Sequence, residues 1–212
     1  KTIENVAREK VALVEAVSEG VFAVLNAEDE HVMAMAQRTK QRIVTFGRIN
    51  EADYRVVELE RLPSGTMELS IRSRHGTHRL TTKLLGTHFW PSVAAAYAVA
   101  VESGVSPEAI AQTIANVDTG HNRCQPVPIE NGPTFIVDTA KAPFPTLQTA
   151  FEVIRPIEAP RKRIVLGMIA DRYELAPNPA DPMRCTARWV LRPEAEAPIL
   201  LRPRDPARAV RT

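Results

Sequence analysis

Asp138 and Lys141 stand three residues apart, where the apolar run 135–137 (Phe-Ile-Val) gives way to a turn broken by Pro143. The run reads as a buried strand. In open α/β sheets ligands gather outside the carboxyl ends of the strands. A carboxylate and an ammonium at such an end can therefore meet a nucleotide, a metal or a phosphate. The same aspartate can instead cap the following helix through its side-chain oxygen. Position alone leaves both roles open. His75-Gly76-Thr77-His78 pairs two imidazoles. The string lies between two alternating apolar runs, so it reads as a hairpin tip rather than a metal pair. Cys124 and Cys185 are far apart and lack metal-ligand spacing. Their use fits a reducing cytosol, which places the protein in the cytoplasm, and argues against a disulfide framework.

The elements that must position these groups follow from hydrophobic period. Ile3, Val6, Ala7, Val11, Val14 and Val17 recur at helical spacing, so a helix is expected over 3–18, ended by Gly20. A strand is expected over 21–25, ending at Asn26. A second helix follows over 28–38, with acids in its first turn where the helix dipole favours them, and then a strand over 42–46. Short apolar strands alternating with helices mean a parallel sheet with right-handed crossovers. The texture then changes. Met67, Leu69 and Ile71 alternate with polar residues, as do Leu80, Thr82 and Leu84, which predicts an antiparallel hairpin with one wet face. Residues 91–103 read as a buried helix opened by Pro91. Ser106-Pro107-Glu108 starts another, reaching about Val117. A helix opened by Pro145 carries Leu147, Ala150, Phe151 and Ile154 on one face, and a strand is expected over 163–166.

Composition excludes several classes. The net charge of +2 is too small to imply nucleic acid, and the 5% aromatic content leaves few stacking platforms for single strands. No run of 18 apolar residues exists, so no membrane partner is expected. The first residues already follow a helical pattern, which suggests a chain cut from something longer. Residues 173–212 hold seven Pro, seven Arg and seven Ala, with neither Gly nor Lys. Proline at that density prevents helix and sheet alike, so an irregular segment is expected. It reads either as a Pro-rich basic tail or as a frameshifted continuation, because codons for Arg, Pro and Ala are GC-rich.

Four strings in order resemble the Mur ligases, the ATP-dependent amide-forming enzymes of peptidoglycan-precursor synthesis, and their folylpolyglutamate and cyanophycin synthetase relatives. The resemblance covers roughly residues 3–172. The first string is Glu4-Asn5-Val6-Ala7-Arg8-Glu9-Lys10, followed by Leu25-Asn26-Ala27-Glu28-Asp29. By the resemblance, Lys10 matches a lysine that becomes carbamylated and so presents oxygen to Mg²⁺, which takes oxygen ligands. Without it, Lys10 is a solvated helix lysine. The second is Gly86-Thr87-His88-Phe89-Trp90-Pro91-Ser92, where the family has Gly-x-His-Asn-x-x-Asn-Ala on the adenine side of ATP. His88 matches. Phe89 and Ser92 replace both asparagines, and a hydroxyl lacks the paired donor and acceptor of an amide. The third is His121-Asn122-Arg123, where a family arginine reaches ATP phosphates; read alone, Arg123 is a surface loop residue. The fourth is Asp138-Thr139-Ala140-Lys141, matching a strand-end aspartate at the nucleotide site, with Lys141 where many members have His. Leu166-Gly167-Met168-Ile169-Ala170-Asp171-Arg172 completes the match.

The resemblance implies an α/β fold. Residues 1–120 are expected to be the later part of a Mur-type central ATPase domain with an antiparallel hairpin insertion. Residues 121–172 are expected to begin a Rossmann-like C-terminal domain. It implies ATP and Mg²⁺ as cofactors, with Lys10, Asp138 and Lys141 as catalytic residues. His88, Ser92, Arg123 and Asp138 are implied at the nucleotide, and Lys10 at the metal. Small-molecule partners are implied too, a nucleotide-linked acceptor and an amino acid. A P-loop needs Gly-x-x-x-x-Gly-Lys-Ser/Thr, and none of the nine glycines precedes a lysine. The chain alone is therefore expected to be inactive. The alternative is a non-catalytic homologue serving as a binding or assembly module. An unrelated dinucleotide-binding domain is disfavoured by the lack of Gly-x-Gly-x-x-Gly.

Overall fold

Thr2 opens helix α1 (Ile3–Glu15), its hydroxyl accepting from the Asn5 amide at 3.4 Å. In the computed structural model the described residues are 2–140, 147–166 and 188–189. They divide into two units, Lys1–Thr119 and Gly120–Thr212. In the first unit, Ala7, Val11 and Val14 of α1 pack against Ala23 and Leu25 of strand β1 (Phe22–Asn26). Helix α2 (Glu30–Ala34) is a single turn or so, tightening into a 3-10 turn at Met35–Arg38. The sequence predicts one helix over 28–38. The start is delayed because the Asp29 carboxylate takes the His31 and Val32 amides at 2.9 and 3.1 Å. The tightened end buries Met35 in the α1–β1 cluster, and Arg38 pairs with Glu15 of α1.

Strand β2 (Arg42–Gly47) lies parallel to β1, from Phe22 opposite Arg42 to Asn26 opposite Phe46. Strand β3 (Tyr54–Arg61) joins β2 in parallel over two residue pairs only, Phe46–Tyr54 and Gly47–Arg55. It then runs antiparallel to β4 (Thr66–Ser73), which pairs with β5 (Gly76–Leu85). The five strands form one sheet in sequence order. Strand β3, by which the hairpin joins the parallel strands, is not among the expected elements. A bulge between Val56 and Glu58 hides its period. Tyr54 and Val56 are buried before it; Leu59 and Arg61 face inward after it, and Glu58 and Glu60 are exposed. One inserted residue shifts a strand's alternation by one. At the tip of β4–β5, Gly76 has φ +110, a conformation that side chains with a Cβ resist.

Helix α3 (Trp90–Glu102) crosses the sheet face opposite to α1. Alternation in β1 divides the two layers: Ala23 and Leu25 meet α1, while Phe22 and Val24 belong to the α3 side. Val93, Ala94, Tyr97 and Ala98 are buried there with Met67, Leu69, Ile71 and Leu80 of the hairpin. Burial of each large side chain contributes about 1.5–3 kcal/mol. Helix α4 (Pro107–Ile114) closes the layer with Ile110 and Ile114, its N-cap Ser106 accepting from Ala109 at 3.3 Å. No helix among the described residues is long and apolar enough to cross a membrane.

In the second unit, β6 (Gln125–Pro128) pairs antiparallel with β7 (Thr134–Val137). The strand expected at 135–137 exists, but it is not buried. It lies in a two-stranded sheet, and Phe135 is 54% exposed. An apolar run signals burial only where a second layer covers it. Helix α5 (Leu147–Ile154) buries Val153, and β8 (Ile164–Val165) pairs antiparallel with β9 (Arg188–Trp189). Strand β8 falls in the strand expected over 163–166, and β9 is the described part of the segment expected to be irregular. Pro145, the expected opener of α5, lies outside the described residues.

Candidate functional site

The second unit brings two of the singled-out strings together. Asn122 and Cys124 carry positive φ values, +59 and +44, on either side of Arg123. Such backbone costs of order 1–2 kcal/mol for a residue with a Cβ, least for Asn, and persists only where its surroundings hold it. They do so here. The Asn122 carbonyl accepts from the amides of Thr139 and Ala140 at 3.0 and 3.1 Å. Asp138 Oδ1 accepts from the Cys124 amide at 3.3 Å, and Gln125 Oε1 accepts from the Asn122 amide at 3.1 Å. The end of β7 is thus clasped to the loop that carries Arg123, and the Arg123 amide turns back to the Gly120 carbonyl at 3.0 Å. Asp138 fastens a loop 14 residues earlier in the chain. Asp138 and Arg123 are both exposed, so a carboxylate and a guanidinium stand on adjoining backbone, open to a ligand. Cys124 is buried beside them. Burial first, and the Asp138 charge second, push its thiol up to about 11. Lys141 lies outside the described residues, as do residues 167–172 of the last string.

The first unit separates its candidates. His88 sits half-buried in a 3-10 turn, Thr87–Phe89, with its ring 4.1 Å from that of Phe89. Gly86 opens this turn at φ +90 and donates to the Gly65 carbonyl at 2.9 Å. Ser92 follows one helical turn later, exposed in the first turn of α3. Trp90 anchors that helix end edge-on against Phe46 of β2, with centroids 6.4 Å apart. His88 and Ser92 therefore share one helix start. Lys10 is exposed on α1, on the other side of the sheet. No group of three or more His, Cys, Asp or Glu that could hold a metal occurs among the described residues. A carbamylated Lys10 would add one carboxylate-like group, so the described residues do not make a complete Mg²⁺ site. At the hairpin tip, the His78 ring engages the His75 carbonyl at 3.1 Å, and His75 accepts from Arg74 Nε at 2.9 Å. The two imidazoles thus serve the turn.

Sequence reasoning missed one polar node. The Glu102 side chain is 5% exposed and holds Arg42 at 2.7 Å and Arg74 at 3.0 Å. It also accepts from the Tyr54 hydroxyl at 2.7 Å. Burial alone would raise its pKa, but the Tyr54 and Arg42 hydrogen bonds and the two guanidinium charges hold it below the usual carboxylate range. The signal was present: Glu102 is the only charged residue of an otherwise apolar helix.

A family model described as the Mur ligase middle domain matches residues 1–100. The UDP-N-acetylmuramoyl-L-alanyl-D-glutamate–2,6-diaminopimelate ligase of Geobacillus kaustophilus is 32% identical over 151 residues, 71% of this chain and 30% of that protein. The UDP-N-acetylmuramoyl-tripeptide–D-alanyl-D-alanine ligase of Mycobacterium bovis is 30% identical over 179 residues, 81% of this chain and 35% of that protein. The chain thus spans about a third of the length of these relatives. Among solved structures, a MurF from Acinetobacter baumannii aligns with a TM-score of 0.70 at 21% identity, covering 80% of this chain and 36% of that one. The MurF ligase of Thermotoga maritima in complex with ADP aligns at 0.62 and 16% identity, over 74% and 36%. These structures share the fold of the aligned part.

Proposed function

We propose, from the premise that this chain belongs to the Mur ligase family, that it is part of an ATP-dependent ligase joining a carboxylate to an amino acid. The acceptor is of the UDP-MurNAc-peptide type and the pathway is peptidoglycan-precursor synthesis. A carboxylate oxygen attacks the γ-phosphoryl group of ATP, and ADP leaves. The amine then attacks the acyl carbon of the resulting acyl phosphate, and phosphate departs as the amide forms. The observation that carries this reading is the clasp in the second unit, where Asp138 holds the Cys124 amide and Arg123 stands between two residues of positive φ. Arg123 is assigned to phosphate oxygens, which its fork of donors matches. Asp138 orients the nucleotide or a water, and Lys141 is assigned to phosphate. His88 and Ser92 are assigned to the adenine side, with Ser92 offering a single hydroxyl. Lys10 is assigned as an oxygen donor after carbamylation. The described residues do not by themselves complete a metal site.

A second reading rests on a specific observation: no glycine of this chain precedes a lysine, so the chain carries no P-loop of its own. On that reading it binds nucleotide or partner without turnover. Calorimetric titration of the 212-residue chain with ADP tests the site. Binding is expected, weakened roughly tenfold by Arg123→Gln and by Asp138→Asn. ADP binding unchanged in both variants would remove the assignment. Amino-acid-dependent ATP hydrolysis is expected to be absent from this chain, and turnover by the purified chain would overturn that expectation.

A further inference from the structure

A single row of residues crosses four strands on the sheet face that also carries α1. Gly47 lies opposite Arg55, Arg55 opposite Arg72, and Arg72 opposite Thr77. Two arginines are thus directly opposed on an antiparallel pair, where Cβ atoms stand about 5 Å apart and like charges destabilise. Sheets normally relieve such a pair with neighbouring acids. Here four acids near the row hydrogen-bond to other groups. The Glu28 side chain fills the space over Gly47, 3.4 Å from where a Cβ would stand, and accepts the Arg48 amide. Asp53 takes the amide and hydroxyl of Thr45, both at 2.8 Å. In the next row Glu58 accepts from Ser70 at 2.7 Å, and in the row beyond it Glu68, opposite Glu60, is held by Arg79 and by Thr81 at 3.0 Å. Neither Arg55 nor Arg72 forms an ion pair among the described residues. Arg55 is nonetheless positioned, because its Nε donates to the Arg48 carbonyl at 3.3 Å.

We infer that Arg55, Arg72 and Thr77 form a binding site for a phosphate-bearing anion on the open face of β3–β5. Two guanidinium forks beside one hydroxyl suit a multiply charged phosphate better than a single carboxylate, because each fork can donate two parallel hydrogen bonds. The row begins at Gly47, the carboxyl end of parallel strand β2, the side on which open sheets receive ligands. The site lies wholly within the first unit and does not depend on the assignment of Asp138 and Arg123. Its chemistry is shared by free polyphosphate and by the phosphates of a nucleotide.

The test titrates the 212-residue chain with inorganic pyrophosphate, with ADP and with citrate, following backbone amides by NMR. Pyrophosphate is expected to move the Arg55, Arg72 and Thr77 amides, and Arg72→Gln or Arg55→Gln should weaken it roughly tenfold. Lys83→Gln, which removes a charge from an exposed position of β5, should change it less than about twofold. An ADP response at these amides equal to that of pyrophosphate assigns a nucleotide source, and a pyrophosphate response alone assigns free phosphate. Arg72→Gln without ligand should also raise the melting temperature, since it relieves the opposed charges; that readout stands even if Arg55→Gln fails to fold. Binding equal in Arg72→Gln and wild type, or an equal response to citrate, would overturn the inference.

Discussion

Glu102 is where charge and burial meet most sharply. Its carboxylate holds two guanidiniums whose side chains remain 49% and 65% exposed, so solvent screens part of each attraction. Glu102→Gln is expected to cost about 1–2 kcal/mol in urea unfolding. The folded carboxylate titrates below its ordinary value of 4.5. Its contribution is therefore complete above that value and is lost as pH falls through the depressed one. Wild type should lose more stability than Glu102→Gln on acidification below about pH 4.5. Tyr97 presents the opposite case. Its hydroxyl is buried with no hydrogen-bond partner among the described residues, and burial pushes its pKa up to about 12. An unpaired buried hydroxyl costs about 1–3 kcal/mol of desolvation. Tyr97→Phe should therefore leave stability unchanged or raise it by about 1 kcal/mol, as melting curves would show. Cys124 should alkylate slowly. Its thiol is pushed up to about 11 from an ordinary 9.0, so the thiolate fraction at pH 8 falls about 100-fold. Iodoacetamide rates against a cysteine peptide check this.

At the scale of elements, stability is concentrated in β3, β4, β5 and α3. Met67, Leu69, Ile71 and Leu80 are fully buried against Tyr97 and Ala98. Ile71→Ala should cost about 2–5 kcal/mol. Phe135→Ala in exposed β7 should cost under about 0.5 kcal/mol. Unfolding curves for the two variants, with amide exchange faster in β6–β7 than in β4–β5, would check the contrast. How far the fold was legible follows the same lines. The parallel strands, the hairpin and α3 were readable because burial imposed a clean period on 22–26, 66–85 and 90–102. Strand β3 was not, because the bulge at Val57 splits its alternation into two incompatible halves. The run 135–137 misled because apolar composition reports what a strand can bury, and no second layer covers it among the described residues. At the site, the joining of the Arg123 loop to the Asp138 strand end was legible only as an order of strings. The clasp rests on backbone carbonyls and amides, which every residue carries, so composition could not reveal it. The opposed Arg55 and Arg72 needed the register of a strand that the sequence hid.

The whole molecule divides its chemistry as it divides its chain. The first unit carries the layered core, with Lys10 on one face of the sheet and the His88–Ser92 helix start on the other. The second carries Arg123 and Asp138. Strand β1 ends the sheet order among the described residues, yet it is sandwiched, with Ala23 and Leu25 under α1 and Phe22 and Val24 towards α3. Its sequence, Phe-Ala-Val-Leu-Asn, contains no charge, proline or bulge. Those are the devices that keep sheet margins from recruiting other chains. Beside it, Ile3, Val6 and Leu13 of α1 are exposed. The purified chain should accordingly be adhesive along this margin. Light scattering is expected to show association that grows with concentration, and a lysine at Val24 or a proline at Ala23 should suppress it at some cost in stability. A handling property, the concentration at which the protein stays dispersed, would then be set by five uncharged residues at the rim of its sheet.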